Sequence, residues 1–204
     1  MTGFHAILLA AGAGRRFGGG KLLALLDGKP LVLHAVEAAL ASRVETVIAV
    51  LGFGAEQVEQ ALSPLTDPRL RLLVCAGWEE GMSASLRGGI DALPADARAA
   101  LIFLGDMPGV PAELADRVLA AAVDGAPAAL PVCDGRPAHP VAVARALFPD
   151  LRRLAGDKGA RGMLEDAPGA VRISTNDPGS IRDVDTPDDL RELQVGGGPA
   201  RTWS

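Results

Sequence analysis

Several features are missing from this chain, and each absence removes a class of function. There are only two cysteines, Cys75 and Cys133. They are far apart, without metal-ligand spacing, and both sit in apolar strand-like runs. They read as free buried thiols, which excludes a disulfide framework and a thiolate zinc site. No charge run of one sign occurs, and the net charge is −5. That excludes general affinity for nucleic acid or an anionic membrane. No apolar run reaches the roughly 18 residues of a membrane span. The N-terminus has no basic segment before its apolar stretch, so no signal peptide is expected and the expected location is cytoplasmic. The 204 residues, 49% of them hydrophobic, suit one domain with a sizeable core.

What is present is concentrated at the start. An apolar run, Ala6 to Ala11, breaks into a loop with Gly12, Gly14, Gly18, Gly19 and Gly20. The loop carries Arg15 and Arg16 and is closed by Lys21. Glycines let backbone N–H groups approach an anion, and the cations neutralise it, so the segment reads as a phosphate cradle. It is not a P-loop: Arg15 stands where the first glycine belongs, and Leu22 follows the lysine instead of Ser or Thr. Nor is it a dinucleotide fingerprint. Phe17 replaces the third glycine, and no acidic residue ends the second strand to hold a ribose. This counts against a nicotinamide-dependent oxidoreductase.

Apolar and amphipathic segments then alternate. Helical spacing covers Pro30–Ser42, Ala55–Leu62, Ser83–Leu93 and Pro111–Val123. Strands are expected at Glu45–Leu51, Arg69–Cys75 and Ala99–Leu104. The second half is less regular. Strands are expected at Ala128–Cys133, Pro140–Ala144, Ala170–Ser174 and Ile181–Asp185, and helices near Ala146–Leu154 and Pro187–Leu193. The βαβα rhythm predicts an α/β fold: a single-domain, Rossmann-like three-layer sandwich with a mostly parallel sheet over residues 1–194. Residues 195–204 read as a mobile tail.

In such sheets ligands bind at the carboxyl ends of the strands. Asp106 lies there, directly after the apolar AALIFL run. A carboxylate at a buried strand end needs a partner, and Mg²⁺ supplies one with one or two carboxylates plus substrate phosphates. Asp183 and Asp185, two apart in an expected strand, share a face, and either could complete the metal site. Alternatively, Asp185-Thr186-Pro187 is a plain cap for the helix that follows, and both can hold, one residue serving as ligand while its neighbour caps. Gly81, Ser83 and Ser85 place hydroxyls and free N–H groups at a helix start, able to cap it or to read an anion or a base edge. His139, beside Pro140, reads as structural, and His5 and His34 have no partner in sequence. Cation loop and aspartate–metal site together suggest nucleotidyl transfer, with Arg16, Lys21 and Mg²⁺ stabilising the developing charge.

The segment LLAAGAGRRFGGGK resembles the signature of the MobA-like nucleotidyltransferases, which have a glycosyltransferase-A-type α/β fold. GMSASLRGGI (81–90), LGDMPGV (104–110), HPVAV (139–143), GDKGAR (156–161) and DVDTPDDL (183–190) extend the likeness over nearly the whole chain. Within that family the chain is most similar to the molybdenum cofactor cytidylyltransferases (MocA-type). The resemblance implies that Arg16 and Lys21 contact the triphosphate and that Asp106, with an aspartate of DVDTP, holds the metal. It implies nucleotide contacts from Leu9, Ala10, Ala11, Gly12, Gly14, Lys21, Gly81, Ser83 and Ser85. The implied substrates are CTP and a molybdopterin-type phosphate, with transient contact to a molybdenum hydroxylase. Transfer to a sugar or polyol phosphate, use of GTP, and a non-enzymatic cofactor-carrying chaperone are the alternatives.

Overall fold

A computed structural model describes residues 2–156 and 159–196. Asp157 and Lys158 of the GDKGAR segment, and residues 197–204 of the expected tail, lie outside them. In chain order the elements are β1 (Phe4–Ala10), β2 (Leu25–Leu26), β3 (Lys29–Pro30), α1 (Leu31–Ala41), β4 (Thr46–Leu51), α2 (Ala55–Leu62), β5 (Leu70–Val74), α3 (Met82–Asp91) and β6 (Ala99–Leu104). There follow α4 (Ala112–Val123), β7 (Ala128–Cys133), β8 (Arg136–Pro137), β9 (Val141–Ala144), α5 (Phe148–Leu151), α6 (Arg161–Glu165), β10 (Val171–Thr175) and α7 (Pro187–Gly196).

The main sheet runs β10-β7-β9-β6-β1-β4-β5, with β8 paired to β7. The pairs β6/β1, β1/β4, β4/β5 and β7/β10 are parallel, whereas β9 is antiparallel to both β6 and β7. The apolar runs explain why the strands lie centrally. Alternate residues of β1 enter opposite cores, so both faces must be covered. Phe4, Ala6, Leu8 and Ala10 join Leu101 and Phe103 of β6 under α1, α2 and α4. Ile7 joins Ile48, Ile102 and Leu130 under α3, α5 and α6. Gly89 brings α3 close to β1: a Cβ there would lie 2.5 Å from the Ile7 Cγ2.

The α/β sandwich is therefore the architecture expected. The differences are local. Ile181–Asp185 is not a strand but a connection that pairs with no strand among the described residues. The Ala146–Leu154 segment is a 3₁₀ turn (Arg145–Leu147) followed by the single α-helical turn α5. Sequence periodicity gave no sign of α6 or of the two-residue β2–β3 hairpin, because elements this short carry no repeat. Among the described residues no helix is long and apolar enough to cross a membrane.

Candidate functional site

The carboxyl ends of β1, β4 and β6 point the same way, and the loops that follow them meet. After β1 the chain turns through a 3₁₀ helix, Arg15–Phe17, bracketed by Gly14 (φ 61°) and Gly18 (φ 92°). It then passes Gly19 and Gly20, both at positive φ, into a second 3₁₀ turn, Lys21–Leu23. These backbone angles strain any residue with a Cβ, which is why glycine recurs there. Among the described residues the N–H groups of Gly12, Ala13 and Gly14 donate to no backbone carbonyl. They remain available to an anion.

The loop folds Lys21 inward. Its side chain is only 10% exposed, and its ammonium donates to Asp106 Oδ2 at 2.6 Å and to Asp185 Oδ1 at 2.9 Å. Arg16 donates to the other oxygen of Asp185 at 2.5 Å, from a side chain that is 79% exposed. Burial works against the charge on Lys21, but the two carboxylates outweigh it and hold its pKa above the usual lysine value. Asp183 lines the same cleft without an ion pair to either cation. Desolvation, then the like charges of Asp106 and Asp185, push its carboxyl above the ordinary range.

The connection carrying these aspartates is held at both ends. The Val184 N–H donates to the Asp106 carbonyl at 3.0 Å, and the Val184 side chain is buried with Leu26 and Leu31. At its far end one oxygen of Asp189 accepts from the N–H groups of Asp185 and Thr186 and from the Thr186 hydroxyl, while Thr186 Oγ1 accepts from the Asp189 N–H. This is a reciprocal capping box over Thr186–Asp189. The two readings of the Asp185-Thr186-Pro187 segment thus coexist: Thr186 caps α7, and the Asp185 carboxylate faces the cations. The T-x-x-D spacing was the available signal.

A cleft of about 600 Å³ joins these parts. Its walls include Leu9, Ala10, Ala11, Gly12, Gly14, Arg16, Lys21, Gly81, Ser85, Asp106, Asp183 and Asp185, all expected from the sequence. Ser83 is not among them. It is fully buried, its N–H donates to the Gly156 carbonyl, and its hydroxyl accepts from Arg87. Arg15, Trp78, Glu79 and Met82 also line the cleft and had not been singled out as nucleotide-binding. Met82 and Ser85 belong to one turn of α3, so the turn rather than the motif decides which side chains face inward.

The donor set fits a divalent cation of the magnesium type. The Lys21 ammonium already stands within 3 Å of both Asp106 and Asp185, so the two carboxylates converge on one positive charge. Two carboxylates with substrate phosphates and water complete an oxygen shell of that kind. Among the described residues no group of three or more His, Cys, Asp or Glu side chains is arranged to hold a metal unaided. His139 is half-buried, with Nδ1 shut from solvent and unpartnered, and takes no part in the carboxylate cluster.

Comparison with known proteins identifies the family of the chain. The MobA-like NTP transferase domain model matches residues 6–172. Nicotine blue oxidoreductase of Paenarthrobacter nicotinovorans is 33% identical over 198 residues, 92% of this chain and 94% of that protein. A 2-C-methyl-D-erythritol 4-phosphate cytidylyltransferase of Streptomyces avermitilis is 36% identical over 130 residues, 62% of this chain and 52% of the relative. The chain thus spans about half the length of that enzyme. A homologue of Mycobacterium tuberculosis Rv0371c from Mycobacterium sp. strain JC1 superposes with a TM-score of 0.81 at 31% identity, covering 95% of this chain and 96% of the other. Rv0371c itself, crystallised with manganese, shares the fold at a TM-score of 0.77 and 24% identity, over 95% of this chain and 99% of the other. With the matched segment spanning the cation loop, the Asp106 turn and most of the sheet, the chain belongs to the MobA-like NTP transferase family.

Proposed function

We propose that this protein transfers CMP from CTP to the phosphate of molybdopterin, releasing pyrophosphate in a magnesium-dependent reaction. The observation that carries the reading is the convergence of Arg16, Lys21, Asp106 and Asp185 beside a glycine loop with free N–H groups. In the transfer an oxygen of the acceptor phosphate bonds to the α-phosphorus as the bond from that phosphorus to the α,β-bridging oxygen breaks. Both electrons leave with pyrophosphate. The acceptor brings its own nucleophile, so no covalent intermediate on a side chain is needed, and positioning and charge stabilisation do the catalysis. The N–H groups of residues 12–14 hold phosphate oxygens. Arg16 and Lys21 exchange their carboxylate partners for triphosphate and neutralise the charge that builds on the leaving group. Asp106 and Asp185, freed by that exchange, would hold the metal, which when bound supplies further neutralisation of the phosphate oxygens.

Cytosine as base and molybdopterin as acceptor are supported by the resemblance of the motifs to the molybdenum cofactor cytidylyltransferases. The Streptomyces relative is also named a cytidylyltransferase. The test is pyrophosphate release with CTP or GTP, with and without molybdenum cofactor. Release that requires both CTP and the cofactor is expected. Turnover with a sugar or polyol phosphate and none with the cofactor would redirect the reading to the alternative acceptor. Oxidation of a reduced nicotinamide by the purified protein, without pyrophosphate release, would overturn it.

A further inference from the structure

The cleft has a second end, built from different materials. The charged cluster stands over β6 and β1, since Asp106 follows β6 and Lys21 closes the loop after β1. The sheet order is β6-β1-β4-β5, so the wall contributed after β5 enters the cleft from the side away from β6 and Asp106. That wall is the 3₁₀ helix Trp78–Glu80.

Trp78 is the one aromatic side chain lining the cleft among the described residues, and its seat is specifically shaped. Gly52, just after β4, leaves room for it: a Cβ there would lie 2.7 Å from the Cβ and Cγ of Trp78 and from the Cβ of Ala11. Phe53 meets the indole edge-on, with ring centroids 5.7 Å apart and planes at 74°. The indole is thereby braced beside the start of the glycine loop, whose Ala11 carbonyl accepts from the Phe53 N–H. Glu79 lines the same end and has no ion pair among the described residues. Its negative charge disfavours phosphate there. A flat apolar wall beside a carboxylate, with the cations paired instead to Asp106 and Asp185, suits the planar end of a nucleoside triphosphate and not its charged end.

We propose that Trp78 is the base-stacking platform of this site. The nucleobase lies against the indole, and the triphosphate runs back across the end of β1 to Arg16 and Lys21. The inference rests on the nucleotidyl-transfer reading and adds to it the residue that fixes the orientation of the substrate. It also gives a reason for retaining an exposed Phe53 against a half-buried Trp78 in a chain with only seven Phe and Trp residues and no tyrosine.

The sequence contains two tryptophans, Trp78 and Trp203, so a Trp203→Phe background isolates the indole in the cleft. CTP titrated into that protein quenches its fluorescence. Trp78→Leu raises the dissociation constant for CTP roughly tenfold or more, the order expected for loss of one base–aromatic stack. Inorganic tripolyphosphate, which has no base, binds Trp78→Leu as it binds the parent. Trp78→Phe recovers most of the CTP affinity. Unchanged CTP affinity in Trp78→Leu overturns the proposal, as does an equal loss for tripolyphosphate, or a rise confined to the Michaelis constant for the acceptor. If the unmodified protein binds tripolyphosphate but gains nothing from a base, the platform fails while the phosphate site stands. If it binds neither, the nucleotidyl-transfer reading fails as well.

Discussion

Lys21 occupies the position that a metal would share. Its ammonium satisfies two carboxylates that would otherwise repel each other at the mouth of a buried strand. A cation arriving alone must displace it, whereas a triphosphate offers Lys21 new partners and releases the carboxylates together. Metal binding should therefore depend on nucleotide. Lys21→Met is expected to bind Mn²⁺ without nucleotide about tenfold more tightly than the parent, because two half-buried carboxylates left uncompensated repel each other. The same variant should lose at least ~100-fold in turnover, the scale of a missing electrostatic stabiliser. Calorimetric Mn²⁺ titration and pyrophosphate release measure the two effects. Nucleotide-free Mn²⁺ affinity that stays at the parent value would show that Lys21 does not guard the site. Arg16 should matter far less to the unliganded protein, since an ion pair made by so exposed a side chain contributes little.

At the scale of elements, the site depends on how short connections are anchored. The glycine loop is legible in the sequence because five glycines and three cations in ten residues have few other uses. The connection 181–186 is harder to read. Its alternation of Arg182, Asp183, Val184 and Asp185 mimics a strand, yet among the described residues it joins neither sheet. Its position is fixed instead by the Val184–Asp106 hydrogen bond and by the Thr186–Asp189 box. Asp189→Ala leaves two N–H groups and a hydroxyl without their acceptor, so it should cost about 1–2 kcal/mol by urea unfolding. It should also weaken Mn²⁺–CTP binding, because the backbone that aims Asp185 is the backbone released. A variant that loses stability while keeping parental Mn²⁺–CTP affinity would mean that α7 capping and metal positioning are separate. The Ser83 expectation fails for a related reason. Membership of a helix start does not say which way a side chain points, and α3 turns Ser83 into the packed interior and Ser85 toward the cleft.

At the scale of the molecule, two histidines limit acid stability. Burial, and then the nearby Arg161 guanidinium, push the His139 imidazole down to about 4, against the weaker pull of Asp106. Burial also lowers His5, whose two ring nitrogens are unpartnered, against Glu45 and Asp96. In the unfolded chain both titrate near the ordinary value of ~6.5. Between pH 6.5 and 4 the unfolded chain therefore binds more protons, and stability falls as pH falls through that window. For His139 alone the loss by pH 4.5 is about 2–3 kcal/mol. Urea unfolding from pH 7.5 to 4.5 should show a drop smaller by that amount in His139→Leu. An identical drop in parent and variant would place the acid sensitivity elsewhere.

The sequence alone determined the layered fold and the glycine-rich, cationic character of the first loop. Both follow from local rules: two-sided burial makes continuous apolar strands, and glycines at positive φ with adjacent cations make an anion cradle. It also singled out Asp106, since an acid ending an apolar strand needs a partner whatever the surroundings. The tertiary structure alone decided who that partner is. Lys21 and Asp106 are separated by 85 residues, and Lys21 and Asp185 by 164. Such distances are closed only by the parallel order of β6 and β1 and by the docking of Val184. The same order carried Trp78, unremarkable in sequence, to the opposite end of the cleft. Charge and backbone conformation are properties of a residue and its neighbours, whereas the pairing of one charge with another depends on where the sheet ends.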